Sequence, residues 1–135
     1  MKVCLSVFLL LISSSLWAET YSGAITLERG AFFEERKPEI EYAGDIEYTV
    51  TFFVDEFIDS EAIYAYTRVK NPTTEMLKVV FYAAFLDADG NLVATSSHST
   101  KLTPGVETQL GGLYSEVADG EWEKVTSYKY TVTRL

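Results

Sequence analysis

Hydrophobic and polar residues alternate along much of the second half of the chain, and a period of two predicts β-strands. The clearest case is the segment from Leu77 to Asp87, whose opposite face also carries Val80, Tyr82 and Leu86. Two apolar faces are typical of a central strand that is covered on both sides. The alternating positions that define its first face are Leu77, Val79, Phe81, Ala83 and Phe85.

Six further segments have strand composition and stop at turn residues. The polar segment Leu92–Thr100 is expected at a sheet edge or facing solvent, and Val117–Glu123 is expected to be a loop or a single helical turn. Residues 28–44 are expected to form a short helix broken at Pro38, or a loop over one end of the fold. The other five segments are Tyr21–Leu27, Asp45–Val54, Ala62–Lys70, Glu107–Tyr114 and Val125–Arg134. Seven strands without a long amphipathic helix predict an all-β fold, an immunoglobulin-like sandwich.

The stretch FLDADGNLV places the oxygen-bearing side chains of Asp87, Asp89 and Asn91 around Gly90, which resembles a calcium loop. An EF-hand loop, however, requires glycine at its sixth position and glutamate at its twelfth, and this stretch has neither. Asp and Asn also bond their own backbone in turns, where glycine supplies a positive φ. The stretch therefore predicts a β-hairpin turn.

The same turn carries a family resemblance. The runs VKNPTTEMLKVVFYAAFLDADGNLV, KLTPGVETQL and VTSYKYTV, within residues 62–132, resemble the FxLYD-type domain of secreted prokaryotic proteins. Of the motif that names the family only Asp87 is kept, and Val106 separates the glycine of the later turn from Glu107. The resemblance implies a small extracytoplasmic β-sandwich without established catalytic residues. The matching positions are Val69, Asn71, Asp87, Gly90, Leu102, Pro104 and Gly105.

The N-terminus reads MKVCLSVFLLLISSSLWAET, with a basic residue, an apolar run and then small polar residues. This order predicts a secretory signal peptide over residues 1–18, cleaved after Ala18, and the apolar run is too short to span a bilayer. Cleavage would remove Cys4, the chain's one cysteine, and leave residues 19–135 as a single domain without a disulfide. We therefore expect a secreted or periplasmic protein.

Acidic residues are concentrated in one part of the chain. Between Glu28 and Glu61 there are 11 acids and 3 bases, whereas residues 62–135 carry 8 acids and 7 bases. A negative balance of this kind disfavours nucleic acid and anionic membrane surfaces as partners. It is compatible with a basic partner, a bound cation or simple solubility.

Few residues suggest catalysis. His98 is the single histidine, and it lies in the polar run SSHST without a nucleophile motif, so we expect it to be a solvated or edge-strand residue. Acid pairs near residues 39–47, Glu39 with Glu41 and Asp45 with Glu47, could serve a small hydrolase. A solvated acidic face is the simpler interpretation, and a non-enzymatic module is the main prediction.

Two groups of residues are candidates for binding. The loop VDEFIDSE could hold calcium through Asp55, Glu56, Asp59 and Glu61. Aromatic side chains could contact a protein or a saccharide, namely Tyr64 and Tyr66 on one face of a strand, and Trp122 in the polar loop DGEWEKV. The alternatives are that the tyrosines fill the interior and that Trp122 caps one end of the core.

Overall fold

The structure is a computed structural model that describes residues 18–30, 40–43, 46–110 and 113–135, the side chains of 40–43 excepted. Nine strands and one short 3-10 helix, Glu121–Lys124, make up the described part. The strands are β1 (Ala18–Ala24), β2 (Ile40–Ala43), β3 (Ile46–Phe57), β4 (Ser60–Lys70), β5 (Leu77–Leu86), β6 (Leu92–Leu102), β7 (Glu107–Leu110), β8 (Tyr114–Val117) and β9 (Ser127–Arg134).

The strands form two antiparallel sheets. The four-stranded sheet has the order β1-β9-β5-β6, and the five-stranded sheet has the order β2-β3-β4-β7, with β8 pairing the other half of β4. The β3–β4 hairpin lies in the five-stranded sheet and the β5–β6 hairpin in the four-stranded sheet. The chain then returns to the five-stranded sheet in β7 and to the four-stranded sheet in β9. The predicted all-β, immunoglobulin-like sandwich is confirmed. No helix in the described residues is long and apolar enough to span a membrane.

The core lies between the sheets and is built from the inward face of each strand. Phe81 and Phe85 on β5 are fully buried, as the alternation predicts, and Phe52 meets Phe85 edge to face at 5.4 Å between centroids. Tyr130 of β9 is also fully buried, and its ring stacks on that of Tyr48 at 5.5 Å. Aromatic packing therefore links the two sheets.

The N-terminal segment changes sheets. Tyr21 and its neighbours in β1 pair with β9, and Ile25 N donates to Thr126 O at 2.9 Å. A few residues later, Gly30 N donates to Val54 O at 2.9 Å, which places the chain beside β3 of the other sheet. This crossover brings Arg29 to the end of the sandwich.

Several boundaries differ from the prediction. The segment predicted as one strand, Glu107–Tyr114, is divided into β7 and β8, with residues 111–112 outside the described part. β2 was not predicted, because four residues are too few for a periodic pattern. β5 is central, as expected, but its outer face is open: Tyr82 is 39% exposed. The expectations for residues 1–17 and 31–39 fall outside the described residues.

The stretch FLDADGNLV forms the hairpin turn between β5 and β6. Asp87 Oδ1 accepts hydrogen bonds from the backbone N–H of Asp89 at 3.0 Å and of Asn91 at 2.8 Å. Gly90 has φ 82°, a left-handed conformation that glycine adopts without steric cost. The side-chain oxygen of Asp87 is thus used to build the turn, as the sequence predicts.

A second turn joins the residues that resemble the FxLYD family. Asn71 is buried, and its side-chain amide donates to the carbonyls of Glu75 at 2.7 Å and Leu102 at 2.9 Å. Its own carbonyl accepts a hydrogen bond of 2.7 Å from the Gly105 N–H, and Asn71 bridges to Pro104. These residues hold the ends of two connections together, which is a structural role.

Candidate functional site

The outer face of the five-stranded sheet carries a cluster of aromatic side chains, which we call the aromatic face. Its members alternate along β3 and β4 with residues that point into the core, such as Val54 and Ile63. The core has its own aromatic residues, so these rings are not needed to fill it. The aromatic face consists of Phe53, Phe57, Tyr64, Tyr66 and Tyr114, of which Phe53 is buried and the other four are half-buried.

The strand register sets four of these rings in a row. Phe53 pairs with Tyr64, and Tyr64 pairs with Tyr114, so β4 places Tyr64 between two aromatic neighbours. The rings of Phe53 and Tyr64 are parallel within 5° at 5.0 Å between centroids. Tyr114 follows at 5.6 Å from Tyr64, and Phe57 lies 4.8 Å from Tyr114. The Tyr64 ring therefore lies between the stacked ring of Phe53 and the tilted ring of Tyr114, and it is half-buried.

Charged groups border the aromatic face. The Arg68 guanidinium lies over the Tyr66 ring, 6.0 Å from its centroid, and Asp55 is exposed at the other end of the face. Partial burial raises the pKa of the Tyr64 hydroxyl, and the negative charge of Asp55 and the nearby Tyr114 raise it further. Tyr64 is thus a neutral hydroxyl at physiological pH, able both to donate and to accept hydrogen bonds.

A separate charged cluster closes one end of the sandwich. The carboxylate of Glu61, whose side chain is 8% exposed, accepts hydrogen bonds from Arg29 and from Trp122 Nε1, the latter at 2.9 Å. The backbone N–H of Gly120 lies 3.3 Å from its second oxygen. The Arg29 guanidinium also lies 5.9 Å from the centre of the Trp122 ring. One cation and two neutral donors thus satisfy this buried carboxylate, as burial of a charge requires.

An open groove of about 640 Å³ lies beside this cluster. The turn of the β3–β4 hairpin and the connection that precedes the 3-10 helix form most of its walls. Acidic groups dominate the lining, and Arg29 is the single base among the described lining residues. Its lining comprises Arg29, Glu56, Ile58, Asp59, Ser60, Glu61, Asp119 and Gly120.

The four carboxylates predicted to hold calcium are divided between different surfaces. Asp55 lies on the aromatic face, whereas Glu56 and Asp59 line the groove and Glu61 is paired inside it. Within the described residues, no group of three or more acidic, histidine or cysteine side chains is arranged to hold a metal ion. Calcium binding by this loop stays a prediction.

The aromatic candidates fall into two places. Tyr64 and Tyr66 share one face, as predicted, and that face is the outer one; Trp122 packs against the core and caps its end. Sequence reasoning missed Phe53, Phe57 and Tyr114 as their neighbours. The pairing of Phe53 with Tyr64 depends on the hairpin register, which the two-residue turn Ile58-Asp59 sets. The sequence gives little signal for this turn, because Ile58 has φ 54° where hairpin turns favour glycine or asparagine.

The residues considered for catalysis lie apart from both surfaces. His98 is half-buried on β6 opposite Phe81. Glu47 on β3 lies opposite Lys70 and, with Glu107, lines a small cleft of about 80 Å³. Glu39 and Asp45 lie outside the described residues, as does the side chain of Glu41, so the hydrolase alternative stays a prediction.

In comparisons with known proteins, no family model matches the chain and no curated sequence matches it.

Proposed function

We propose that this protein is a secreted or periplasmic, non-enzymatic β-sandwich module that binds another protein through the aromatic face. The observation that carries the proposal is a row of rings on the outside of a sheet, which runs from the buried Phe53 through the half-buried Tyr64 and Tyr114 to Phe57. Tyrosine and arginine are enriched at protein interfaces, because they combine a large apolar surface with a polar end. Arg68 and Tyr66 border the row and add that combination.

The ring geometry favours a protein over a saccharide. A sugar stacks on the face of an aromatic ring, and such a ring must turn that face to solvent. Tyr64 instead lies between two rings, stacked on Phe53 at 5.0 Å and flanked by the tilted ring of Tyr114 at 5.6 Å, so little of its face is left for a sugar. Ring edges and hydroxyls are left to meet the partner, and these suit the side chains and backbone of a protein.

The state of the buried carboxylate supports a non-enzymatic role. A general acid or base must exchange its proton with a substrate. Glu61 is the buried acid of the described residues, and its oxygens are held by Arg29, Trp122 and Gly120. This carboxylate serves to close the sandwich.

The export and family assignments are part of the same proposal. They rest on the leader-like order of residues 1–18 and on the FxLYD resemblance over residues 62–132. The contacts of Asn71 with Leu102 and Gly105 support the resemblance, because these matching residues meet at one end of the sandwich.

Site-specific photocrosslinking tests the proposal. A photoreactive phenylalanine analogue replaces Tyr114 on the aromatic face or, as the control, Tyr82, an exposed tyrosine on the outside of the other sheet. After irradiation of cells that produce the protein natively, we expect a discrete protein adduct from position 114 that position 82 does not give. Equal adducts from both positions, or none from position 114, contradict the proposal.

The saccharide alternative is a distinct outcome of a second measurement. Affinity electrophoresis through gels containing cell-envelope polysaccharides would show retardation of the parent and its loss in Tyr114→Ala. That pattern would replace the protein partner with a saccharide. Unchanged mobility in both proteins is the result that we expect.

A further inference from the structure

The four-stranded sheet ends in a long edge strand, β6, which also approaches β8 of the other sheet. β6 spans 11 residues, Leu92–Leu102, and pairs with β5 on one side; within the described residues no strand pairs with its other side. An unpaired edge presents a row of backbone N–H and C=O groups that can accept another strand. Natural proteins usually protect such an edge with proline, a bulge, short length or several charges. β6 contains no proline, and the one register shift in its pairing lies at the Phe85/Leu86 end of β5.

The charge of β6 sets it apart from the other edge strands. In an acidic chain of net charge −9, β6 contains no Asp or Glu. Each of the other strands at a sheet edge carries one glutamate, namely Glu19 in β1, Glu41 in β2, Glu107 in β7 and Glu116 in β8. β6 is therefore the described edge at which two copies of this acidic protein meet with the least repulsion between strands.

The sequence of β6 is also complementary to itself. In an antiparallel pair related by a two-fold axis at Ser97, Thr95 faces Ser99 of the second copy, and Val93 faces Lys101. On the outward face this juxtaposes hydroxyl side chains, which pair favourably across antiparallel strands, and no like charges. The two-fold arrangement makes the same patch serve both copies, as closed dimers require.

The inward face supplies an independent observation. Ser96 is 8% exposed, and its hydroxyl has no hydrogen-bond partner among the described residues. Under the same two-fold axis, Ser96 lies opposite His98 of the second copy, with about 5 Å between the Cβ atoms of such a pair. An imidazole nitrogen at that position can reach the orphaned hydroxyl, whereas leaving it unpaired is costly.

We infer that β6 is a homodimerisation edge, at which two copies of this chain join their four-stranded sheets into one continuous antiparallel sheet of eight strands. The occupant of the edge is a second copy, because residues 93–101 complement themselves and lack the acidic residues of the other edges. The aromatic face lies on the other sheet and stays accessible in such a dimer. The dimer would present two aromatic faces on one assembly.

Paired substitutions at the two edges of the same sheet provide the test. Ser97 on β6 and Ser22 on β1 are both exposed serines on the outer face of this sheet. In sedimentation velocity over a concentration series, we expect the parent and Ser22→Glu to form a dimer and Ser97→Glu to be a monomer. Melting curves at the same concentrations check that both variants are folded.

Disulfide trapping then tests the register without relying on a loss of binding. With Cys4→Ser in every protein, so that one thiol is present, Ser97→Cys should cross-link two copies under mild oxidation and Ser22→Cys should not. A parent that stays monomeric to its solubility limit overturns the inference. A dimer that survives Ser97→Glu, or one that Ser97→Cys does not trap, also overturns the inference, because such a dimer must use another surface.

Discussion

Trp122 Nε1 lies 2.9 Å from Oε2 of Glu61, although the two residues are 61 positions apart in the sequence. The hydrogen bond joins the 3-10 helix before β9 to the start of β4, and Arg29 brings the N-terminal crossover to the same carboxylate. One buried acid therefore fastens three segments that have no strand pairing with one another at this end of the sandwich.

Removal of this carboxylate should destabilise the fold. We expect Glu61→Ala to lower the free energy of unfolding by about 1–3 kcal/mol, because it leaves the partly buried indole N–H without an acceptor. Glu61→Gln should cost less, since an amide oxygen can still accept that hydrogen bond. Arg29→Ala should cost at most about 1 kcal/mol, because the Arg29 side chain is 53% exposed and such pairs are screened by solvent.

Urea unfolding measures the three variants against the parent. If the leader is removed, Trp122 is the one tryptophan and its fluorescence reports on this end of the sandwich directly. A loss in Arg29→Ala as large as that in Glu61→Ala would mean that the ion pair, rather than the indole contact, holds the segments.

The sequence predicts the strands well because their signal is local. Alternation over Leu77–Asp87 identified Phe81 and Phe85 as core residues, and both are fully buried. Alternation in the segment Ala62–Lys70 also placed Tyr64 and Tyr66 on a common face. It could not say which face is outside, because Ile63, Ala65 and Val69 make the opposite face of β4 equally apolar.

The charged cluster was less accessible to sequence reasoning. Glu61 lies in an acidic loop and is typical of a solvated or calcium-binding residue. Its actual partners come from positions 29 and 122, and only the paths of the N-terminal crossover and of the chain into β9 bring them together. Long-range pairing of this kind has no period or spacing that a single sequence displays.

The buried hydroxyl of Tyr130 should make stability depend on alkaline pH. The Tyr130 hydroxyl shares a hydrogen bond of 2.6 Å with Thr67 Oγ1, which also lies 3.1 Å from the Ala65 carbonyl oxygen. Burial raises the pKa of Tyr130 well above its ordinary value of 10.0, and the hydrogen bond with Thr67 offsets a smaller part. The unfolded chain then loses this proton at a lower pH than the folded protein does.

Stability from Tyr130 is consequently present in full below pH 10 and is lost as the pH rises further. We expect the parent to lose about 1 kcal/mol of unfolding free energy per pH unit above 10 through this group. Tyr130→Phe should be less stable at pH 8 but should show a flatter decline in urea melts between pH 9 and 11. Equal slopes in both proteins would assign the decline to other groups, with Tyr64, whose pKa is also raised, the first to examine through Tyr64→Phe.

Phe81 and its neighbour Tyr82 offer a matched comparison on one strand. Phe81 is fully buried, whereas Tyr82 is on the open face of β5. Phe81→Ala should cost about 3–5 kcal/mol through lost burial and the cavity that remains. Tyr82→Ala should cost no more than about 1 kcal/mol, as is usual for exposed positions. Denaturant melts of the two variants in parallel give both losses of unfolding free energy. A loss in Tyr82→Ala as large as that in Phe81→Ala would mean that the Tyr82 side chain is buried against another surface.

The predicted mature N-terminus can be examined directly. Cleavage after Ala18 would make Glu19, which lies opposite Val132 in the pairing of β1 with β9, the first residue. Removal of Ala18 costs only the last pair of this ladder, so we expect the mature domain to keep its fold. Intact mass spectrometry of the exported protein should give the mass of residues 19–135. A mass that includes residues 1–18 would show that the leader is retained.

The turn between β5 and β6 separates backbone conformation from metal binding. At Gly90, with φ 82°, an added Cβ meets no atom within 4 Å, so a substitution there costs only conformational energy. We expect Gly90→Ala to destabilise the protein by about 1–2 kcal/mol and Gly90→Asn by less, because asparagine tolerates the left-handed region. Asp87→Ala should also destabilise the protein, since Asp87 Oδ1 accepts two backbone hydrogen bonds.

Thermal melts test metal binding by the same turn. Millimolar calcium, compared with sodium at equal ionic strength, should move the melting midpoints of the parent and of Asp87→Ala by equal amounts. A calcium-specific rise in the parent that Asp87→Ala abolishes would show that the turn holds the cation.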